Sequence, residues 1–455
     1  MLPSTKLPAS FTRALSPLRS CFSAPTYETF VVLVVGFLSC IGDHTVTGML
    51  VASGYSSAWD HNRAHRFFSR ASWCPDSLGM AILDLIVNHL VDASSALELV
   101  VDDTLYKRCG PKVWGVFWHH DATSTSSKPV AKGTCYVVIG IVVTPLFMTR
   151  SICLPIHVRL WIPKPKSAKK RKTNKADKNC PSKVDIAKHC VLAIVARYPD
   201  RRVNVCGDAA YISQALRKLP NNITWTSRLR SDAALFEFAP PKTGKRGRPR
   251  TKGKRLGGLA DIAKNVPWKK LNVRRYGADG DGAVTVEVHS FTCLWHGVLG
   301  TEPVKVVMVR DIGKVGYGIA IVTTDIEAND ATIIERYAKR WSIEVCFEEG
   351  KMIAGVADAR NRTRKAVERT VPFANLSMSL LVVWFATCGI DPDAIVDERR
   401  NLAPWYRTKV NVSFADMLDT ARRVLTASDF RPTRRSEPSA QEIEIMQLAS
   451  EYVAA

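Results

Sequence analysis

Tyr337, Arg340, Glu344 and Lys351 are spaced so that a helix brings them to one side. At about 100° per residue, Arg340, Glu344 and Lys351 fall at about −60°, −20° and −40° from Tyr337. An Arg, a Glu and a Lys beside a Tyr make a poor core face. They make a good face for gripping phosphate while a carboxylate holds a metal ion. Two more carboxylates end short apolar runs: Asp102 in Leu97-Glu-Leu-Val-Val-Asp-Asp-Thr104, and Asp208 in Arg202-Val-Asn-Val-Cys-Gly-Asp208. Phosphodiester cleavage needs an activated water or 3′-hydroxyl and a stabilised leaving oxygen. Two divalent ions about 3.5–4 Å apart supply both. Magnesium takes oxygen ligands, so it suits carboxylates rather than the cysteines of this chain.

Each residue also has a plainer role open to it. Asp102 and Asp103 are adjacent, so in a strand they face opposite sides and only one can join the site. Asp208 can cap the helix that follows it. Glu344 can pair with Arg340 or Lys351 along the helix. Glu348 lies on the same stripe, at about +20°, as a stand-in ligand. His119, His120 and Asp121 are either neighbours of a metal site or satisfied loop polars.

The elements that must position these groups read as follows. Residues 26–93 are helical, and the stretch 44–71 mixes Tyr55, Trp59, Phe67 and Phe68 with Arg63, Arg66 and Arg70. That stretch is either a module that holds DNA or a helical cap packing its aromatics into a core. Leu97–Thr104, Cys135–Val143 and Ser151–Ile162 have strand composition. A helix follows over 183–197, with Ser182 as N-cap and Asp185 in the capping-box position. The strand ending at Asp208 comes next. Strand, strand, strand, helix, strand is the order of a ribonuclease-H-like α/β core, in which the first and fourth strands lie side by side. Residues 220–325 then read as a β-rich insertion, with pieces at 223–228, 284–288, 304–310 and 317–323. One helix over 327–354 carries Glu344, and apolar and amphipathic helices follow at 372–388 and 413–426. The resulting divisions are a helical N-terminal region (1–93), core (94–219), insertion (220–325), core (326–390) and a helical C-terminal region (391–455).

The spacing Y-x2-R-x3-E-x6-K, with two strand-end Asps in this order, resembles the DDE transposases of bacterial insertion sequences. It is most similar to their cut-and-paste group with a β-rich insertion between the second Asp and the Glu. Val-Val-Asp102-Asp103-Thr104, Val203-Asn-Val-Cys-Gly-Asp208-Ala-Ala-Tyr211, Trp118-His-His-Asp-Ala122 and His65-Arg-Phe-Phe-Ser69 resemble further motifs of that group. The resemblance runs from about residue 40 to about residue 425. It implies that Asp102, rather than Asp103, ligates metal with Asp208 and Glu344. The metal would be two Mg²⁺, with Mn²⁺ as a substitute. Arg340 and Lys351 would hold the DNA backbone and Tyr337 a phosphate. It further implies a DNA-bound homodimer that cleaves inverted repeats and transfers the freed 3′-hydroxyl to target DNA. In relatives a hairpin intermediate is helped by an aromatic holding a flipped base, for which Trp225, Trp268 and Trp295 are candidates. The other readings are a ribonuclease-H-like nuclease and an inactive, DNA-binding remnant.

Composition is globular, with 46% hydrophobic and 23% charged residues, and a charge of +22 favours a polyanionic partner. Two tracts, 164–183 and 242–255, each carry a net +8 and so hold most of that excess. Arg246-Gly-Arg248-Pro-Arg250 resembles an arginine arm that enters AT-rich minor grooves, with a solvated loop as the alternative. The 12 cysteines show neither C-x-x-C pairs nor zinc spacing, as expected of small hydrophobes in a reducing compartment. The run 30–41 is too short to span a bilayer, and 372–390, broken by Asn375, Ser377 and Ser379, reads as a buried helix. The first 25 residues, Ser- and Arg-bearing, read as an irregular lead-in rather than a transit peptide. The expectation is a cytoplasmic, nucleoid-associated bacterial protein with no membrane contact.

Overall fold

The computed structural model describes residues 7–121, 125, 127, 129–164, 180–241, 249–274, 282–427, 444 and 448. Its strands are β1 Leu97–Lys107, β2 Phe117–His120, β3 Val130–Val143, β4 Ile152–Trp161, β5 Val203–Gly207, β6 Ile223–Arg228, β7 Lys269–Arg274, β8 Ala283–Leu294, β9 Pro303–Asp311 and β10 Ile319–Thr323. Among the described residues these form one sheet in the order β2-β3-β1-β5-β6-β10-β9-β8-β7, with β4 also paired to β3. The antiparallel set β4-β3-β1, followed by parallel β5 and β6, is the ribonuclease-H-like core. The first and fourth of its strands, β1 and β5, are direct neighbours, Leu97 opposite Val203 and Val101 opposite Gly207.

One placement differs from the sequence reading. Ile223–Arg228 was expected within the insertion, yet it pairs parallel with β5 and completes the core as its fifth strand. The insertion strands β7 to β10 continue the same sheet antiparallel, starting from β6. Val273, Val286, Val288, Val307, Val309 and Ile321 form a small second core there with Ile333 and Ile334.

The helices are α1 Ala9–Leu15, α2 Ala24–Ser39, α3 Val46–Ala52, α4 His61–Ser69, α5 Pro75–Leu90, α6 Lys183–Arg197, α7 Leu259–Lys264, α8 His296–Leu299, α9 Asp330–Lys339, α10 Trp341–Met352, α11 Arg364–Thr387, α12 Pro392–Leu402 and α13 Phe414–Ala427. α6 begins with the expected capping box. Ser182 Oγ accepts from the Asp185 backbone N–H at 3.1 Å, and the Ser182 N–H donates to Asp185 Oδ2 at 3.0 Å. α11 is long and apolar enough by composition to cross a membrane, but 89% of its most apolar stretch is buried in protein. It is apolar on all sides because protein surrounds it: β4, α1, α2, α4, α5 and α13 all pack on it. Its polar side chains turn inward to backbone: Asn375 and Ser377 donate to carbonyls four residues back, and Ser379 to Pro155 of β4. The N-terminal helices thus cap this core, with Phe67 and Phe68 buried against Phe373.

The sequence suggested one helix over 327–354. The structure has two, α9 and α10, that meet at Arg340. Two shorter i→i−3 bonds tighten the joint, Arg340 N–H to Tyr337 O and Ile343 N–H to Arg340 O, both 3.1 Å. The four-residue stripe is therefore split across a joint, with Tyr337 on α9 and Glu344 and Lys351 on α10.

Candidate active site

Successive residues of a strand face opposite sides, so Glu98, Val100, Asp102 and Tyr106 of β1 share one face while Asp103 takes the other. The register that pairs Val101 with Gly207 sets Asp102 and Asp208 next to each other, just past the paired ends of β1 and β5. Asp102 Oδ1 accepts from the Asp103 N–H at 2.8 Å, and Oδ2 accepts from Arg340 Nη1 at 3.1 Å. Arg340 Nη2 reaches the other way, to Glu344 Oε1 at 2.6 Å. One guanidinium thus ties the end of β1 to the first turns of α10.

Burial pushes the Asp102 carboxyl up to about 7, and the negative charges of Asp208 and Asp103 add to it, against the opposing pull of Arg340. Arg340 keeps one buried donor, Nε, without a hydrogen-bond partner. Asp208 caps a short 3-10 turn, accepting from the Ala210 N–H at 2.8 Å, so the capping role read from the sequence is real. Ser227 Oγ of β6 donates to its backbone carbonyl at 2.5 Å and fixes the strand end.

Tyr337 lies half-buried with its ring centroid 5.8 Å from the Arg340 guanidinium, and burial raises its phenol. Lys351 lies apart, two turns further along α10, with Nζ 5.6 Å from the Tyr106 ring. Seven residues of helix put it about 10 Å from Glu344 along the axis. Glu348 is exposed on the same helix. Arg250 is exposed, while Arg246 and Arg248 lie outside the described residues, as do residues 165–179 of the first basic tract.

Asp103 is held on the opposite face. Lys183 Nζ donates to it at 2.6 Å, Tyr211 OH at 2.9 Å and Cys135 Sγ at 3.3 Å. His119 is buried, and Asp121 bonds Lys107 at 2.8 Å. Trp225 and Trp295 are buried in the core, and Trp268 lies under the Arg310 guanidinium at 4.0 Å.

An ion network centred on the buried Arg336 and Asp325 side chains was missed by the sequence reading. Arg336, one turn before Arg340, bonds Asp325 at 3.0 Å and Glu98 at 3.2 Å; Asn204 bonds Glu98 at 2.6 Å, and Arg202 bonds Asp325 at 2.6 Å. The alternation Glu98-Val100-Asp102 was the available signal that Glu98 shares the face of Asp102.

Among the described residues no group of three or more His, Cys, Asp or Glu stands close enough to hold a metal ion. The Arg340 guanidinium stands between Asp102 and Glu344, bonded to both. The donor chemistry nevertheless fits a hard divalent cation. All three side chains offer carboxylate oxygens, and Asp102 beside Asp208 is short of positive charge.

A model of the family described as DDE superfamily endonuclease matches residues 17–288, more than half of the chain. The matched span includes Asp102 and Asp208 and ends before Glu344. No curated protein matches the chain.

Proposed function

The chain belongs to the DDE superfamily endonucleases, and from that premise we propose that it is a DNA transposase that cleaves and rejoins DNA at the ends of its own element. An activity of transposase or nuclease type on DNA comes with the family. The finer reading assigns Asp102, Asp208 and Glu344 as metal ligands. What carries it is the Arg340 bridge between Asp102 and Glu344, with Asp208 beside Asp102.

Bound divalent ions, Mg²⁺ or Mn²⁺, would activate the attacking water or 3′-hydroxyl and stabilise the leaving oxygen. The chain's own part is positional. The ends of β1 and β5 hold two carboxylates side by side, and α10 brings the third. Arg340 offsets part of the cluster's charge through its bonds to Asp102 and Glu344. On release from Asp102 and Glu344, its planar fork suits a phosphate beside the cut. Tyr337 lies within reach of the same guanidinium, and Lys351 meets the backbone further along α10. In this reading the protein acts as a homodimer on paired inverted repeats and works at the bacterial nucleoid.

The test uses a supercoiled plasmid carrying the DNA that flanks the gene, incubated with protein and Mg²⁺. Asp208→Asn and Glu344→Gln should each still shift the end fragment in a gel and yet leave the plasmid unnicked. Nicking by both variants at the parental rate removes the assignment. Joined products in a second plasmid separate a transposase from a nuclease that only cuts.

A further inference from the structure

Cations continue beyond the carboxylate cluster in one direction. Past Lys351, Lys107 is exposed at the end of β1. Beside it, Arg108 Nη2 donates to the carbonyls of Ala357 and Ala359 at 2.7 and 2.6 Å. Trp114 N–H donates to the Arg362 carbonyl at 3.0 Å, and the Arg364 guanidinium lies 5.4 Å from the Trp114 ring. These bonds fasten the segment between α10 and α11 against β1 and leave Arg360 and Arg362 exposed.

α11 then opens with Arg364 and Lys365 and carries no acid in its first turn. The helix dipole disfavours cations there, so this pair carries a cost in the free protein. Lys365 lines a trough of about 450 Å³ with Arg70. That trough shares Arg70 and Ala71 with a second, of about 490 Å³, lined by Arg66 and Arg63 of α4. The acids along the way are engaged: Asp121 with Lys107, Asp358 with the His44 N–H, Glu368 with Arg364, Glu28 with Arg63 and Asp60 with the Asn62 N–H.

We propose that Arg360, Arg362, Lys365, Arg70 and Arg66 form a track that binds the sugar–phosphate backbone of duplex DNA between the cutting site and α4. It rests on the transposase reading and adds a grip that the two basic tracts of the sequence do not include. Duplex is favoured over single strand because single strands are held on exposed aromatic platforms. The aromatics that line the two troughs, Phe67 and Trp73, are buried, and Trp114 is half-buried next to Arg364.

The experiment measures anisotropy of a labelled 30-bp duplex (about three helical turns) of arbitrary sequence with the full chain over a range of salt. Each phosphate contact contributes a slope of about 0.9 in log K against log salt, so Arg66→Gln/Arg70→Gln and Arg360→Gln/Arg362→Gln should each flatten the slope by about two and weaken binding about tenfold. Lys314→Gln, in the exposed β9–β10 turn, should change neither. Arg→Lys at the same pairs should restore the slope, which separates a lost phosphate contact from a damaged fold. Parental slopes in both Gln pairs overturn the track, as does preference for an RNA duplex of equal length. A parent that binds no duplex at any salt overturns the track and the transposase reading together. A parent that binds but does not nick leaves the track standing and removes only the catalytic reading.

Discussion

Arg340 holds Asp102 and Glu344 together. The guanidinium is mostly buried, Asp102 is 19% exposed and Glu344 34%. Removing one partner of such a set leaves charge with neither water nor a counter-ion. Arg340→Met should therefore destabilise the metal-free protein by about 2–3 kcal/mol, below the full cost of breaking a buried pair because Asp102 can take up a proton and Glu344 reaches solvent. With saturating Mg²⁺ the deficit should shrink, because the cation then supplies the missing positive charge. Melts of both proteins in EDTA and in Mg²⁺ read this directly. An equal deficit in the two conditions means that Arg340 is only a structural tie. At this scale the sequence was informative about residue identity and silent about contact. Asp102 and Asp103 could be assigned to opposite faces from strand alternation alone. Which face holds Arg340, and which holds Lys183, Tyr211 and Cys135, depends on helices far along the chain.

At the scale of elements, close approach is enforced where side chains are missing. Gly79 of α5 lies against β4 so tightly that a Cβ would stand 1.8 Å from the Ile156 carbonyl oxygen. The atom in the way is backbone of β4, which is held in the sheet by its pairing with β3, so relief requires α5 to move off β4. Gly79→Ala is expected to cost about 3 kcal/mol, read as a lower urea midpoint with an unchanged slope. A midpoint within error of the parent would show that α5 shifts freely, and with it the support of α11. Local signals were legible here for physical reasons: β1, β3 and β4 are β-branched runs, and the α6 capping box is closed within four residues. Two features were not. β6 belongs to the core because of a parallel partner, β5, and a short strand carries no mark of its partner. The break at Arg340 comes from i→i−3 bonds in a stretch whose composition favours continuing the helix.

At the scale of the whole molecule, the charge of +22 divides between surfaces of different kinds. The track from Arg360 to Arg66 runs over the bonded segment between α10 and α11, the start of α11 and the face of α4, so its cations sit on ordered backbone and suit phosphates at set positions. The Arg246-Gly-Arg248-Pro-Arg250 arm is different in chemistry, because Arg is favoured over Lys where a minor groove is narrow. The two contributions can be separated by keeping charge while changing the group. Replacing Arg246, Arg248 and Arg250 together by Lys preserves three positive charges, so the salt slope for any duplex should stay at the parental value. If the arm reads groove width, the same variant should lose the parent's preference for AT-rich over GC-rich duplexes of equal length. Replacement by Ala should lower both quantities, the slope by roughly three. Competition binding with the two duplexes at several salt concentrations separates these results. An AT preference that survives in the Lys variant would reduce the arm to general phosphate binding, leaving end selection to contacts elsewhere on the protein.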